Sequence, residues 1–193
     1  MAFWNDVNTV SKESPTSGYA GSSILEIKSV LFSKHSVKFP AFLTDMSQTF
    51  TSTWNTENVF GRNDPIGIFQ GTVRIVNLSF TVPSGGRSEA KLNAKKVEAL
   101  ASFLYPSYKV ERANALDAAG VPVDNPPMGA SYMYGSPLVR VKFANLVDNN
   151  LGGGGRGLLG WIGGLSINPV LDNGTFVDGA AHFPKTYEIS FDL

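Results

Sequence analysis

Cysteine is absent from this sequence of 193 residues, which excludes disulfides, thiolate catalysis and zinc–thiolate sites. Histidine occurs only twice, at His35 and His182, and the two are too far apart for a metal-binding spacing. No run approaches the roughly 20 apolar residues that a membrane-spanning helix needs, and the first residues lack the features of a secretory signal. We therefore expect a soluble, non-secreted protein with no bound metal, no cofactor and no membrane contact.

Charge is also scarce. Only 17% of the residues are charged, and the 16 basic residues balance the 16 acidic ones. Because binding to nucleic acid depends on clusters of Lys and Arg, a neutral chain is not expected to hold DNA or RNA specifically. The basic and aromatic segment at 103–112 is interpreted as a helix end with a turn rather than as a nucleic-acid groove.

Alternating apolar residues indicate strands at several places. The clearest lies at 71–86, where one side is apolar: Val76, Leu78, Phe80 and Val82. Val73 and Ile75 have the opposite parity, which predicts a bulge near Ile75. Strands are also expected within 22–34, 37–54, 137–147 and 185–193, with Pro40 at an edge or a bulge, and 157–172 suits a short strand pair. Residues 110–136 show no sustained period and are interpreted as a long loop.

One amphipathic helix is predicted over about 88–104. Ser88 is the expected N-cap, and Pro106 ends the helix. Its apolar stripe is Ala90, Ala94, Val97, Ala101 and Leu104, joined by Leu100, and its three lysines, Lys91, Lys95 and Lys96, are expected to lie off the stripe. The helix should therefore bury one face against a sheet.

Together these patterns predict a mainly β (α+β) fold, a barrel or sandwich with one flanking helix. Residues 24–193 form a single domain, and residues 1–23 form an N-terminal arm rich in Ser, Thr, Asn and Gly. Two interpretations of this arm remain open. It is either a disordered tail or a segment that orders on a neighbouring molecule, which the presence of Trp4 favours.

A glycine-rich segment, NLGGGGRGLLG at 150–160, fits the spacing G-x-G-x-x-G at Gly155, Gly157 and Gly160. A dinucleotide site needs a helix directly after these glycines, to place its N-terminus against the pyrophosphate. Here two further glycines and Pro169 follow, and no Lys-Ser/Thr pair is present for a phosphate loop. The segment is therefore interpreted as a mobile connection between strands, with Arg156 exposed at its tip or in contact with a partner.

No catalytic set is evident in the sequence. The G-x-S-x-G motif of serine hydrolases is missing, and His35 and His182 suit a surface position and a turn. The carboxylates Asp45, Glu57 and Asp64 could form an acid/base pair only if the fold brought two of them together. We expect no enzymatic activity.

A combination of motifs in residues 50–193 resembles a known family. A tryptophan segment precedes the turn GRNDPI (61–66) and the stretch FQGTVR (69–74), and a long strand and a helix ending in LYPSY (104–108) follow. SPLVRVKFANLV (136–147), GLLGWIGGLSINP (157–169) and FPKTYEISFDL (183–193) continue in the same order. This order is similar to that of the baseplate proteins that initiate the tail tube of contractile-tailed bacteriophages.

The resemblance implies a tail-tube-like fold, in which subunits join their sheets edge to edge in a hexameric ring on the baseplate hub. Such a ring is part of the virion, contacts hub and tube proteins, and encloses a lumen through which DNA passes without specific binding. A subunit of this kind is made in the host cytoplasm. Ring closure also protects strand edges, which otherwise promote aggregation.

Five residues are candidates for the subunit interface under this resemblance. Trp54 and Phe60 would anchor it, Arg62 and Asp64 would pair across the boundary, and Arg156 would contact the hub or an adjacent ring. An ordinary surface turn at 61–67 is the competing interpretation, because Asn-Asp-Pro is common turn chemistry.

Three other functions remain open at this stage. The chain could be the major tail tube protein, which would polymerise alone, whereas an initiator stops at a ring. A cell-wall-binding or cell-wall-degrading tail component would need an acid/base pair in a cleft. A β-sandwich that binds a ligand is the least specific alternative.

Overall fold

The structure is a computed structural model that describes residues 24–31, 35–112, 128–149 and 156–193. These residues form a mainly β fold with one α-helix, as the sequence predicts. The N-terminal arm lies outside the described residues. The strands are β1 (Ile24–Ser29), β2 (Ser36–Pro40), β3 (Phe42–Glu57), β4 (Ile66–Pro83), β5 (Ser107–Arg112), β6 (Met128–Gly135), β7 (Val139–Phe143), β8 (Leu158–Gly160), β9 (Leu165–Pro169), β10 (Thr175–Asp178), β11 (Ala181–Pro184) and β12 (Thr186–Asp192).

Two antiparallel sheets of four strands face each other. Sheet A has the order β2-β1-β7-β8, and sheet B has the order β3-β4-β12-β9. In sheet A, Leu25 lies opposite both Phe39 and Phe143. In sheet B, Phe80 lies opposite both Leu43 and Ile189. Strands distant in the sequence are thus neighbours in both sheets.

The hydrophobic core lies between the two sheets, and both contribute to it. Because successive side chains of a strand point to opposite faces of the sheet, every second side chain lies in this space. The buried residues of sheet A include Leu25, Ile27, Val37, Phe39, Val139 and Val141, and those of sheet B include Val76, Leu78, Phe80, Val82, Ile189 and Phe191. The Phe80 ring packs at 5.8 Å from that of Phe39 and at 6.2 Å from that of Phe191, measured between centroids. The fold is therefore a sandwich closed by aromatic contacts.

The predicted bulge near Ile75 is wrong. Pairing between β3 and β4 runs without interruption from Asp45 opposite Ser79 to Thr53 opposite Gly71, and the irregularities lie between Leu43 and Asp45 and between Thr53 and Trp54. The change of parity has another cause. Inside the core the apolar side chains of β4 must face inward, whereas Val73 and Ile75 lie beyond the core and are exposed.

Several element boundaries also differ from expectation. The 103–112 segment is a helix end and a turn, as expected, but strand β5 follows, and β5 pairs with β6 in the region interpreted as a long loop. Residues 113–127 lie outside the described part. Strands β8 and β9 do not pair with each other, because β8 joins sheet A and β9 joins sheet B. Pro40 lies on β2, which is an edge strand, as expected. The β10–β11 hairpin was not predicted, since its four-residue strands are too short to show a period.

The helix, α1 (Arg87–Ser102), begins one residue earlier than predicted and has Gly86, not Ser88, at its N-cap. Its buried face also differs from the predicted apolar stripe. Three polar residues, Glu89, Asn93 and Lys96, are buried together with Ala90, Ala99 and Leu100. The apolar pattern missed this face because its polar side chains are buried with one local hydrogen bond each for Glu89 and Asn93, while Glu89 Oε1 and Asn93 Oδ1 have no hydrogen-bond partner among the described residues. The Gly85 N–H donates to the Glu89 carboxylate at 2.6 Å, and the Asn93 side-chain amide donates to Ser84 Oγ at 3.0 Å.

Lys96 is the most unusual member of this face, since only 1% of its surface is exposed. Its Nζ lies 6.0 Å from the centroid of the Phe39 ring, a cation–π distance. Burial lowers the pKa of Lys96 to about 8, and the charge of nearby Glu89 offsets part of this shift. Desolvation thus outweighs the favourable contacts of the ammonium with Phe39 and Glu89, so the charged form of Lys96 is less favoured in the fold than in the unfolded chain.

The lowered pKa predicts a stability that rises with alkaline pH. Between pH 8 and 10.5 the folded chain has lost the Lys96 proton that the unfolded chain keeps, so the free energy of unfolding should increase through this window. The upper limit is about 3 kcal/mol, at about 1.4 kcal/mol per pKa unit. Urea unfolding below, within and above the window measures this change.

The matched variants are Lys96→Met and Lys95→Met, because Lys95 is the exposed neighbour. In Lys96→Met the free energy of unfolding should no longer rise between pH 8 and 10.5, whereas in Lys95→Met it should rise as in the wild type. An equal pH dependence in the wild type and in Lys96→Met would contradict the assignment.

Candidate functional site

The hairpin formed by β3 and β4 extends well beyond the sandwich. We call residues 48–75 the projecting hairpin. Its ladder continues from Thr49 opposite Ile75 to Glu57 opposite Ile66. At about 3.3 Å per residue this length corresponds to roughly 30 Å. Almost all of its residues are exposed, on both faces of the ribbon.

Many of the exposed residues of the projecting hairpin are large and apolar. They are Phe50, Trp54, Val59, Phe60, Ile66, Ile68, Phe69, Val73 and Ile75. A two-stranded ribbon is marginally stable alone in water, and contiguous exposed apolar surface marks an interaction site. The projecting hairpin is therefore the main candidate for contact with another protein surface.

Side chains within the projecting hairpin stiffen it through cross-strand contacts. Arg74 donates to Gln48 Oε1 at 2.6 Å, and its guanidinium lies 5.3 Å from the centroid of the Phe50 ring. The Trp54 and Phe69 rings meet edge to face at 5.1 Å. These pairs set the ribbon's shape but leave its apolar surface uncovered.

Four of the five predicted interface residues lie on this element. Trp54 is in the outer part of β3, and Phe60, Arg62 and Asp64 lie in the tip turn, where Phe60 is fully exposed. Within the described residues, Arg62 and Asp64 form no ion pair. The structure thus places these four residues on the projecting hairpin. Pairing of Arg62 with Asp64 across a subunit boundary stays a prediction. The fifth residue, Arg156, lies elsewhere, at the end of the glycine segment.

The glycine segment is pinned at its base. Asp148 Oδ1 accepts hydrogen bonds from the Asn149 and Gly157 N–H groups at 2.7 and 3.1 Å, and its Oδ2 lies 3.3 Å from Lys142 Nζ. The Arg156 N–H donates to the Asn149 side chain at 3.0 Å. Desolvation alone would raise the pKa of Asp148, but the two N–H groups and Lys142 outweigh it, so the pKa is lowered. Residues 150–155 lie outside the described part, and their two flanks are held together by this carboxylate.

The outward face of sheet B carries charge of one sign. Asp45 lies opposite Ser79, Asp192 opposite Asn77, and Glu188 opposite Thr81. Opposed residues share a face, so these three carboxylates lie on the side away from the core. Most of the remaining side chains of this face within the sandwich are polar, and Phe42, opposite Thr81, is an exposed aromatic; the polar ones include Ser47, Asn77, Ser79, Thr81, Ser166, Asn168 and Ser190. Among the strands of sheet B the only basic residue is Arg74, which has the opposite parity.

Sheet B has two edges that accept no strand within the described chain. β3 pairs only with β4, and β9 pairs only with β12. Unpaired edges expose N–H and C=O groups that can bond to a strand from another molecule. In sheet A, by contrast, the edge strand β2 contacts the helix. The open edges and acidic face of sheet B were not found from the sequence, because strand order and register depend on distant pairings.

Of the three carboxylates considered for acid/base chemistry, Asp45 lies far from the other two. Asp45 and Glu57 are twelve positions apart on this strand, which places them roughly 40 Å apart. Asp64 belongs to the tip turn, far from Asp45. Glycosidase carboxylates lie about 5–10 Å apart, so Asp45 is not paired with either of the other two. His182 is exposed on β11, and burial lowers the pKa of His35.

The described residues contain no group of three or more side chains suited to hold a metal ion. Nor does their helix have the length and apolar character needed to cross a membrane. Comparison with protein-family models gives no match, and no curated protein matches the chain.

Excision of the projecting hairpin should leave the sandwich intact. The variant joins Phe50 to Arg74 through an Asn-Gly turn, which suits a two-residue hairpin. Since the removed residues contribute nothing to the buried core, we expect a melting temperature within a few degrees of the wild type, about 1 kcal/mol or less. Circular dichroism measures this, and loss of cooperative unfolding would contradict it.

The base of the glycine segment predicts a second effect. Asp148→Asn removes the charge facing Lys142 and weakens the contacts to Asn149 and Gly157, so trypsin should cleave after Arg156 faster than in the wild type. The stabilisation should be present above the unfolded pKa of Asp148 and lost as pH falls through its lower folded pKa.

Asp172→Asn is the control for this variant, because Asp172 is exposed on a short 3₁₀ turn. It should leave the cleavage rate unchanged. Equal cleavage of both variants would show that Asp148 does not hold the segment.

Proposed function

We propose that the chain is a structural subunit of a bacteriophage tail baseplate. It forms a hexameric ring on the central hub, initiates the tail tube and lines the DNA channel. The observation that carries this proposal is sheet B, which combines two open edges with a polar outward face bearing only acidic charges. A mainly β sandwich with one flanking helix agrees with the tail-tube-like fold that the sequence resembles.

The open edges support assembly by sheet extension. β3 of one copy would pair with β9 of the next, so that each copy contributes four strands to one continuous sheet. A head-to-tail contact of this kind closes into a ring when its rotation divides a full turn. Every edge of sheet B is then paired, which removes the aggregation hazard of an exposed strand.

The acidic face supports a role as channel wall. Asp45 and Glu188 would repel DNA phosphates, whereas Lys or Arg would bind them and release counterions. Ser, Thr and Asn side chains between these carboxylates keep the surface hydrated. DNA could thus pass without being retained.

The same surfaces distinguish this proposal from its alternatives. A cell-wall-degrading component needs two carboxylates in a cleft, within reach of one glycosidic bond. Asp45 is far too distant from Glu57, and Glu57 and Asp64 are exposed at the outer end of the projecting hairpin. The major tail tube protein would share the sheet and its edges. It differs in assembling alone into long tubes.

The direct test is light scattering of the purified chain, with negative-stain images of the same sample. We expect six-fold rings, formed alone or on addition of purified hub components. Long tubes formed without a hub would favour the major tube protein. A monomer that joins neither hub nor tube components would contradict the proposal.

An edge variant tests the assembly mode. Ser166→Lys places a charge on the open strand β9, where an edge lysine opposes strand addition. We expect this variant to remain monomeric and folded. Ser131→Lys on β6 is the matched control, since Ser131 is exposed outside sheet B, and it should form rings as the wild type does.

A further inference from the structure

A cavity lies at the base of the projecting hairpin, and we call it the base cavity. It has a volume of about 260 Å³ and opens between the start of the sandwich part of β4 and strand β8. Its lining is mainly apolar and includes Val73, Ile75, Leu158, Leu159, Trp161 and Leu193. Leu159 and Trp161 remain at least half exposed, so an apolar side chain that entered would be covered on several sides.

The opposite end of the projecting hairpin presents an apolar knob. Val59 and Phe60 lie in the tip turn, and the Phe60 side chain is fully exposed. The Arg62 N–H donates to the Val59 carbonyl at 3.1 Å, and Gly61 has a φ of +89°, which favours glycine. The turn is thus held by its own backbone while Phe60 has no apolar cover.

The knob and the base cavity of one molecule cannot meet. Pairing from Thr49–Ile75 to Glu57–Ile66, with one irregularity between Thr53 and Trp54, separates them by roughly 30 Å along the ribbon. Folding the ribbon back would break this ladder. Only another molecule can bring a knob to the base cavity.

We propose that the tip of the projecting hairpin of one copy inserts Phe60 into the base cavity of a second copy. Apolar character is complementary in the two surfaces, and so is charge. Arg62 flanks the knob and Asp192 lies in the cavity wall, and neither forms an ion pair among the described residues. Arg74 also lines the cavity, but its guanidinium donates to Gln48 and lies against Phe50 on the ribbon. The contact is head-to-tail, since each copy offers one knob and one cavity.

This contact rests on the proposed function only in requiring assembly between copies. It is distinct from the pairing of β3 with β9, because it uses the tip and the β8 region rather than the edges of sheet B. It gives the exposed apolar tip a defined partner.

Disulfide trapping tests the contact in a chain that has no native cysteine. Val59→Cys places a thiol beside Phe60, and Leu159→Cys places one in the base cavity. Each variant alone should give only homodimers, through its own exposed thiol, and at low yield. An equal mixture should form a heterodimer under mild oxidation as the main product, identified by mass spectrometry of the linked peptides.

Two controls make the result specific. Val177→Cys replaces Leu159→Cys with an exposed valine on β10, outside the cavity, and should give little heterodimer. Adding Phe60→Ser to Val59→Cys should lower the yield about tenfold or more, because a buried phenylalanine contributes well over one decade of affinity. Adding Asn63→Ser instead should leave the yield unchanged.

The outcomes separate this contact from the ring itself. If heterodimers form with Ser166→Lys present, the knob and cavity meet without sheet extension, and the inference stands even if no ring is found. If wild-type rings form but the mixture gives no more heterodimer than the Val177→Cys control, the inference is overturned and the ring remains. Equal yields with and without Phe60 would also overturn it.

Discussion

The buried stripe of β4 is the interaction on which the rest of the structure depends. Val76, Leu78, Phe80 and Val82 are covered by sheet A on one side of the strand, and β3 and β12 pair along its two edges. Where this stripe ends at Val76, the sandwich ends too. The same two strands continue without a core, so the chain has a stable body and a projection that only another surface can cover.

The sequence predicted the parts of the fold that depend on local alternation. The strand expected within 185–193 and the apolar stripe of β4 were correct, because a core on one side selects every second residue. The helix was placed correctly, but its buried face was not, since hydrogen bonds from Gly85 and to Ser84 allow Glu89 and Asn93 to be buried. Val73 and Ile75 change parity because β4 leaves the core at this point. In the sequence, the end of a core and a β-bulge give the same change of alternation, so the two could not be distinguished.

The candidate surfaces likewise divide into one that local motifs predicted and one that depends on distant strand pairing. Trp54, Phe60, Arg62 and Asp64 were selected from motifs and share one projection, although their role at an interface stays a prediction. The acidic face could not be read from the sequence. Asp45, Glu188 and Asp192 come from strands far apart in the chain, and only the register of sheet B places them on one side. Surfaces formed by distant pairing require the structure.

The strand order also has a consequence for synthesis of the chain. Sheet A cannot form until β7 reaches β1, more than one hundred residues after it, and β4 must wait for β12. Such non-local pairings slow folding, whereas the projecting hairpin pairs only with itself and can form early. A nascent chain would therefore expose an apolar ribbon before the sandwich closes. A chaperone that acts during translation would then bind this ribbon. Because subunit assembly uses the same apolar side chains, it would compete with the chaperone for them.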